Sequence, residues 1–339
     1  MINAILSPFA YSAQAQLGIG PMDICLHLGA HRTATTSFQS ALRSNTAHLA
    51  RCGLTCWTPA KTRDGLMRGL IRHPEDATLQ DDEQGLRSVG RLKITLHKLE
   101  ADGHRALLIS EPNMLGTGQT NLRTHLLYPQ LDERLRRFVP AFGDRPLTVG
   151  LSIRSYEDYW TSLLCSQFRV RMAGAGAERL DRLTTQPRRW RRLIRDIARV
   201  LPQAHIVVWA FEQMGARSND QLNALWPQGQ AVLSGGDPWL ARSPDLFTLQ
   251  QMGYTAPKGQ GDGKGVRWMP FDEDQRSVLR AEYRQDLAWL RAGAEGLATF
   301  IDGRQTPAVQ PDRGDAMMGP VHAGTEDRGH GHGIKERLG

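Results

Sequence analysis

The chain has 339 residues, a formal net charge of +7 and four cysteines. That length suits one α/β domain of ordinary size with loose ends, or at most two domains. Four cysteines do not make a disulfide framework, and no apolar run approaches the roughly 20 residues that span a bilayer, so the composition points to a reducing, cytoplasmic compartment without stable membrane insertion. The positive balance suits nucleic acid, a membrane surface or a small polyanion. No zinc-finger, RNP or long basic-helix pattern supports nucleic acid, whereas a small ligand with several phosphate or sulfate charges needs only a local basic pocket.

Residues 1–21 lack a basic n-region and a compact apolar core, so no signal peptide is expected. Met22 directly precedes the first apolar run and reads as a possible natural start, with 1–21 an unstructured N-terminal extension. Residues 24–28 read as a buried strand. Gly29, Ala30, His31, Arg32, Thr33, Ala34, Thr35, Thr36 and Ser37 follow, and then Phe38, Ala41 and Leu42 recur at helical spacing. Strand, tight loop and helix start together aim backbone N–H groups and the helix dipole at an anion. Thr35 and Thr36 add hydroxyl donors, and Arg32 adds a fixed charge with planar donors. Against the Walker pattern G-x-x-x-x-G-K-[ST], Ala34 occupies the second Gly position, no Lys follows, and the cation lies two residues earlier.

A short helix, Thr46–Arg51, is expected to stop at Gly53, before a strand over Leu54–Trp57. His48, Cys52 and Cys56 do not form a metal site: Gly53 breaks the helical spacing and a fourth ligand is missing. Residues 60–82 read as a polar loop or small helices. A helix is expected over about 83–101, with Leu86, Val89, Leu92, Leu96 and Leu99 on one side. The strand over 105–110 delivers Glu111 to its carboxyl end, the edge where open parallel sheets bind ligands. Residues 113–130 read as irregular, long enough for a lid, and carry His125. A helix over 131–139 follows.

Leu147–Ile153 alternates as a strand and ends at Arg154, whose fork suits a phosphate. The next helix carries Ser162, eight residues on. A Gly/Ala tract at 173–177 reads as a connection. A helix over 187–201 starts at Pro187 and bears an arginine-rich outer face, either solvated or touching an anionic ligand. A strand over 205–211 ends at Glu212. Residues 215–272 are Gly- and Pro-rich, with a short helix near 219–226 and Lys264 in a flexible loop. A helix over 273–292 closes the fold, and 303–339 reads as a disordered tail.

The stretch His31-Arg32-Thr33-Ala34-Thr35-Thr36-Ser37 resembles the 5′-phosphosulfate loop, K-[ST]-G-T-T, of sulfotransferases that use PAPS (3′-phosphoadenosine 5′-phosphosulfate). Arg32 stands at the family's Lys and Ala34 at its Gly. Arg154 and Ser162 match the family's 3′-phosphate pair in type, order and spacing. The resemblance implies an α/β fold over residues 22–302: one domain with a mainly parallel sheet of four or five strands, helices on both faces and a P-loop-like 5′-phosphosulfate loop. It implies sulfuryl transfer from PAPS to a hydroxyl or amine of a small-molecule, carbohydrate or lipid acceptor, without a metal. Residues 29–37, Arg154 and Ser162 would hold the donor. Arg32 would stabilise the leaving oxygen, and Glu111 or His125 would take the acceptor proton. A P-loop-type nucleotide kinase and a non-catalytic nucleotide-binding protein are the alternatives.

Overall fold

Residues 23–27 are almost wholly withdrawn from solvent because they form the central strand of a sheet covered on both faces. The structure is a computed structural model that describes residues 21–168, 176–236, 239–254 and 263–303. Expectations for the extension before 21, for 173–175 of the Gly/Ala tract, for 259–262 and for the tail beyond 303 lie outside the described residues.

The sheet contains β1 (Asp23–His27), β2 (Leu54–Trp57), β3 (Ala106–Ser110), β4 (Leu147–Ile153), β5 (His205–Ala210) and β6 (Thr299–Ile301). Its order is β2-β3-β1-β4-β5-β6, and every pairing is parallel. The sheet thus has six strands, not four or five. The addition is β6, three residues paired to the edge of β5, too short for an alternation signal.

Helices α1 (Thr35–Ser44), α2 (Leu79–Ala101), α3 (Gly118–Thr124), α4 (Leu131–Arg136), α5 (Tyr156–Phe168), α6 (Trp190–Val200), α7 (Ser218–Leu225) and α8 (Glu273–Arg291) supply the main cover. Because successive strand residues point to opposite faces, Ile24, Leu26, Leu107, Ile109, Val149 and Leu151 share one core with Leu92, Leu96, Trp160 and Ile194. Cys25, Leu108, Val207 and Trp209 share the other with Phe38, Leu42, Leu222 and Leu225.

Three local expectations change. The helix expected from 83 begins at Leu79, because Thr78 and Asp81 form a capping box; its Leu86 faces solvent, 74% exposed. The 113–130 stretch is not irregular throughout: it contains a short 3-10 turn and α3, capped by Thr117. The arginine-rich helix begins at Trp190, with Arg189 at its N-cap, so Pro187 lies outside it.

The chain leaves β1 toward β2 and β4 toward β5, in opposite directions across the sheet. These neighbours therefore flank a topological switch point, whose crevice lies beyond their carboxyl ends. Gly150 permits close packing there, since a Cβ would lie 2.5 Å from Leu225 Cδ2. Its carbonyl accepts the Leu28 N–H at 3.0 Å, starting the loop that follows β1.

Candidate functional site

The loop after β1 turns sharply at Gly29, where φ is +39° and a Cβ would meet Thr35 Cγ2 at 2.6 Å. Arg32 and Ala34 adopt left-handed conformations, with φ of 66° and 60°. Ala34 stands at the position where both sequence patterns carry a glycine, which would be unstrained at this φ. Three of the loop carbonyls are engaged. Ala30 O accepts Thr33 Oγ1 at 2.6 Å, Arg32 O accepts Arg154 Nη1 at 2.7 Å, and Ala34 O accepts the N–H groups of Ser37 and Phe38. With these carbonyls turned away, the backbone N–H groups of Thr33, Ala34, Thr35 and Thr36 make no hydrogen bond among the described residues. Such a row of N–H groups at a helix start is a concave anion nest.

The loop's outer wall is a polar chain. The His31 N–H donates to Tyr128 Oη at 2.8 Å. His31 Nδ1 and the same hydroxyl lie 2.9 Å apart, and Nε2 meets Asn113 Oδ1 at 3.1 Å. Tyr159 Oη reaches Tyr128 Oη at 3.3 Å and accepts Asn121 Nδ2 at 2.7 Å. Burial holds the His31 imidazole down to about 4 and raises the Tyr128 phenol to about 12, so both are neutral near pH 7. A neutral imidazole satisfied on both nitrogens fixes the loop's path rather than adding charge.

The second motif meets this loop. Arg154 leaves the end of β4 and stacks over Phe211, 4.3 Å from the ring centroid. Ser162 projects from α5 and accepts Arg32 Nε at 2.8 Å. Arg32 also donates to Ala241 O and Ser243 Oγ, each at 3.1 Å. Its guanidinium thus spans from the loop to the Ser162 hydroxyl. Arg32, Ala34, Thr35, Thr36, Arg154 and Ser162 line a single cavity of about 630 Å³ at the β1/β4 crevice. Residues chosen from two motifs more than 100 positions apart therefore share one chamber.

Two buried donors in this chamber lack partners among the described residues: Arg154 Nε and Thr161 Oγ1. Unsatisfied buried donors are costly and are usually completed by a ligand or water. Burial lowers Arg154 to about 10; Asp158 counters this, while Arg267 and Arg32 add to it. The side chain remains a cation at neutral pH, and a bound anion relieves the crowding of like charges. Phe211 and Trp239, ring centroids 6.1 Å apart, supply apolar wall.

Sequence reasoning missed Thr161, Phe211 and the strap of Trp239, Leu240, Ala241, Arg242, Ser243 and Pro244 that covers the chamber. Thr161 could have been found, because it adjoins Ser162 on α5. The strap carries no periodic signal; a hydrogen bond from the Leu240 N–H to Ser37 Oγ at 2.9 Å fixes it across the α1 start. Arg242 and Arg267 also line the chamber, the latter 2.5 Å from Asp158. Lys264 is exposed beside Gly265, itself a wall residue.

Neither residue expected to take a proton lines this chamber. Glu111 is fully buried at the end of β3. Its oxygens accept Thr62 Oγ1 at 2.6 Å, Arg63 Nη2 at 2.6 Å, Arg63 Nε at 3.0 Å and the Asn113 N–H at 3.1 Å. It touches the loop indirectly, through Asn113 and His31. His125 caps the end of α3 with φ of 56°, and burial followed by Arg179 and Arg182 lowers its pKa. The arginines of α6 and of the turn before it do not line the chamber either. Arg188, before the helix, pairs with Asp196, and within it Arg191 pairs with Asp286 and Arg195 with Glu295, at 2.7, 2.7 and 2.6 Å.

Among the described residues no group of three or more His, Cys, Asp or Glu side chains could hold a metal ion, and no helix is long and apolar enough to cross a membrane. No protein-family model matches the chain, and neither does any curated protein or solved structure.

Proposed function

We propose that the chain is a sulfotransferase that moves a sulfuryl group from PAPS to a hydroxyl or amine acceptor and releases adenosine 3′,5′-bisphosphate. The observation that supports this most is the single cavity shared by Arg32, Ala34, Thr35 and Thr36 of the loop and the Arg154–Ser162 pair. A donor with phosphate groups at two ends needs two separate anion sites joined by an apolar span. The open N–H groups of residues 33–36, with Thr35 and Thr36, suit the 5′-phosphosulfate. Arg154, Ser162 and the unpartnered Thr161 hydroxyl suit the 3′-phosphate. Phe211 and Trp239 offer ring faces for a base between them.

In this reading the S–O bond to the 5′-phosphate breaks as a bond from the acceptor oxygen or nitrogen to sulfur forms. The acceptor proton leaves to a base, and Arg32 offsets the charge gathering on the released phosphate oxygen. Of the two expected bases, Glu111 is linked to the loop by Asn113 and His31 and His125 is flanked by cations, and neither lines the chamber. A kinase reading fits less well, because it lacks the Walker Lys inside the helix start and a magnesium-holding strand Asp.

The test is a magnesium-free thermal shift followed by turnover. Adenosine 3′,5′-bisphosphate should raise the unfolding midpoint well above the shift given by adenosine 5′-monophosphate, since a ligand of the folded state alone stabilises by mass action. Labelled PAPS should then transfer to a member of an acceptor library. Equal shifts from the two nucleotides remove the 3′-phosphate assignment; donor binding without any transfer makes the protein a nucleotide binder.

A further inference from the structure

The outer face of α2 carries features that nothing among the described residues explains. Leu79, Leu86 and Ile94 are 85, 74 and 70% exposed, the three most exposed large apolar side chains of the described residues. Leu86 and Ile94 flank Gly90 at i−4 and i+4, so the three lie on one stripe. Gly90 sits in the middle of a 23-residue helix, where glycine is unfavourable relative to alanine. A Cβ at Gly90 would meet nothing within 4 Å, so no intramolecular close approach accounts for it. The inner face is already satisfied: Ser88, Leu92 and Leu96 are buried.

Charge on and beside this stripe changes along the helix. The first turns hold Asp82 and Glu83, with Asp81 turned into the helix cap, and Arg87 follows in the first half. The second half holds Lys93, His97 and Lys98 and then Glu100, while Arg91 turns back to Ser88 and Gly65 O. Some of these groups meet ions of their own chain at 3.3–3.9 Å: Asp81 with Arg72, Asp82 with Arg137, Glu83 with Arg87 and His97 with Glu100. These are long contacts in which Asp81, Arg137 and Glu100 are half-buried and the other partners exposed; contacts at such distances hold little energy and leave the polarity of the face intact. A helix acidic at one end and basic at the other is complementary to a reversed copy of itself.

We infer that α2 is a homodimer interface, in which two copies pair their α2 helices antiparallel about a two-fold axis at Gly90. An isologous contact of this kind uses one patch on both subunits and closes at two copies. With Gly90 at the axis, the missing side chain lets the backbones approach. Leu86 of each copy fills the hole beside Gly90, Lys93, Ile94 and His97 of the other, as a knob does in an antiparallel helix pair. Glu83 then runs beside Lys98 of the second copy. Leu79 is covered near Ala101 of that copy. The inference rests on this face alone and is independent of what the β1/β4 chamber binds.

The test is sedimentation velocity of the full chain from about 1 to 100 μM, the span in which a modest interface declares itself. The wild type should shift from monomer to dimer with rising concentration. Leu86→Asp should weaken the association at least tenfold while the chain stays folded, since Leu86 contributes nothing to its own core. Glu83→Lys and Lys98→Glu should each weaken it, and the double exchange should restore it, because an antiparallel pair regains opposite charges. Circular dichroism on each variant checks folding. A wild type that stays monomeric across the range overturns the inference. So does a dimer indifferent to Leu86→Asp, or charge exchanges whose effects add instead of compensating.

Discussion

Arg154 Nη1 donates to the carbonyl of Arg32 at 2.7 Å, so a side chain from the end of β4 holds the backbone of the loop after β1. The Arg32 side chain completes the tie by reaching Ser162 on the helix that follows β4. The two sequence motifs are thus one mechanical unit. A residue chosen for a phosphate contact also maintains the left-handed backbone that opens the neighbouring N–H nest.

Arg154→Ala should therefore do two things. It removes a charge-assisted contact worth roughly 1.5–3 kcal/mol, so adenosine 3′,5′-bisphosphate should bind about 10- to 100-fold more weakly. It also frees the Arg32 carbonyl, so thermal stability without ligand should fall. Arg154→Lys keeps the charge but cannot donate to the carbonyl and ligand in one plane, and should fall between. Calorimetry and a melting curve read the two effects separately. Unchanged affinity in a folded Arg154→Ala protein would leave the residue a purely structural clamp.

Ala34 carries a Cβ at φ 60° and ψ 22°, where an L-residue is strained by about 1–2 kcal/mol relative to glycine. Ala34→Gly relieves that strain, although the added freedom of the unfolded chain offsets part of it, about 0.4–1 kcal/mol. The variant should gain up to about 1 kcal/mol in urea unfolding and keep ligand affinity. Ala34→Val, branched at a left-handed position, should lose more than that. A large destabilisation by glycine would show that the Cβ packs, not strains.

The sheet and the two stretches that line the chamber were legible because each rests on short-range chemistry. Continuous apolar runs bounded by Gly or Pro mark buried parallel strands, and a small-residue loop between strand and helix marks a nest. The strap at 239–245 was illegible because its place depends on tertiary contacts, the Leu240 N–H to Ser37 and Ala241 O to Arg32. Glu111 was correctly placed at a strand end, but its three donor residues, Thr62, Arg63 and Asn113, cannot be inferred from spacing. Leu86 was set on one side with Leu92 and Leu96 because a heptad-like run reads the same whether the covering surface is its own sheet or another chain.

Acid should weaken the fold through His27. The His27 Nδ1 lies 2.8 Å from Ser110 Oγ, which also accepts a hydrogen bond from Gln39 Nε2. The Nε2 side is buried beneath the loop with no partner among the described residues. Burial lowers the His27 pKa to about 3, against about 6.5 unfolded. Between those values the unfolded chain holds a proton the native chain refuses. The stability is therefore complete above about 6.5 and falls as pH drops, by up to about 1.4 kcal/mol per unit for one group. His31, held near 4, adds a second proton over the upper part of that range. Asp23 and Asp286, both raised by burial, act in the opposite sense at lower pH, so urea midpoints at pH 7.5 and 5 give the cleanest comparison. His27→Gln should cost stability at pH 7.5 yet lessen the slope; an unaltered slope would place the titration elsewhere.

Arg32 should separate binding from turnover. Its guanidinium is held at Ser162, Ser243 and Ala241 O, in the wall of the chamber. If its charge serves the released phosphate oxygen, the gain lies in the transition state, and its loss appears in kcat more than in KM. Arg32→Ala should cost about 10²-fold or more in single-turnover transfer at saturating PAPS, comparable to losing one oxyanion donor. Product affinity should fall less than in Arg154→Ala, because the N–H groups of residues 33–36 and the hydroxyls of Thr35 and Thr36 remain. Ser162→Ala removes the partner that draws Arg32 away from the loop, so in that background Arg32→Ala should cost a different factor. Additive effects in the double variant would mean that the 2.8 Å contact does not couple the two groups. A full-speed Arg32→Ala enzyme would leave the loop as a binding device only, with no share in the transfer step.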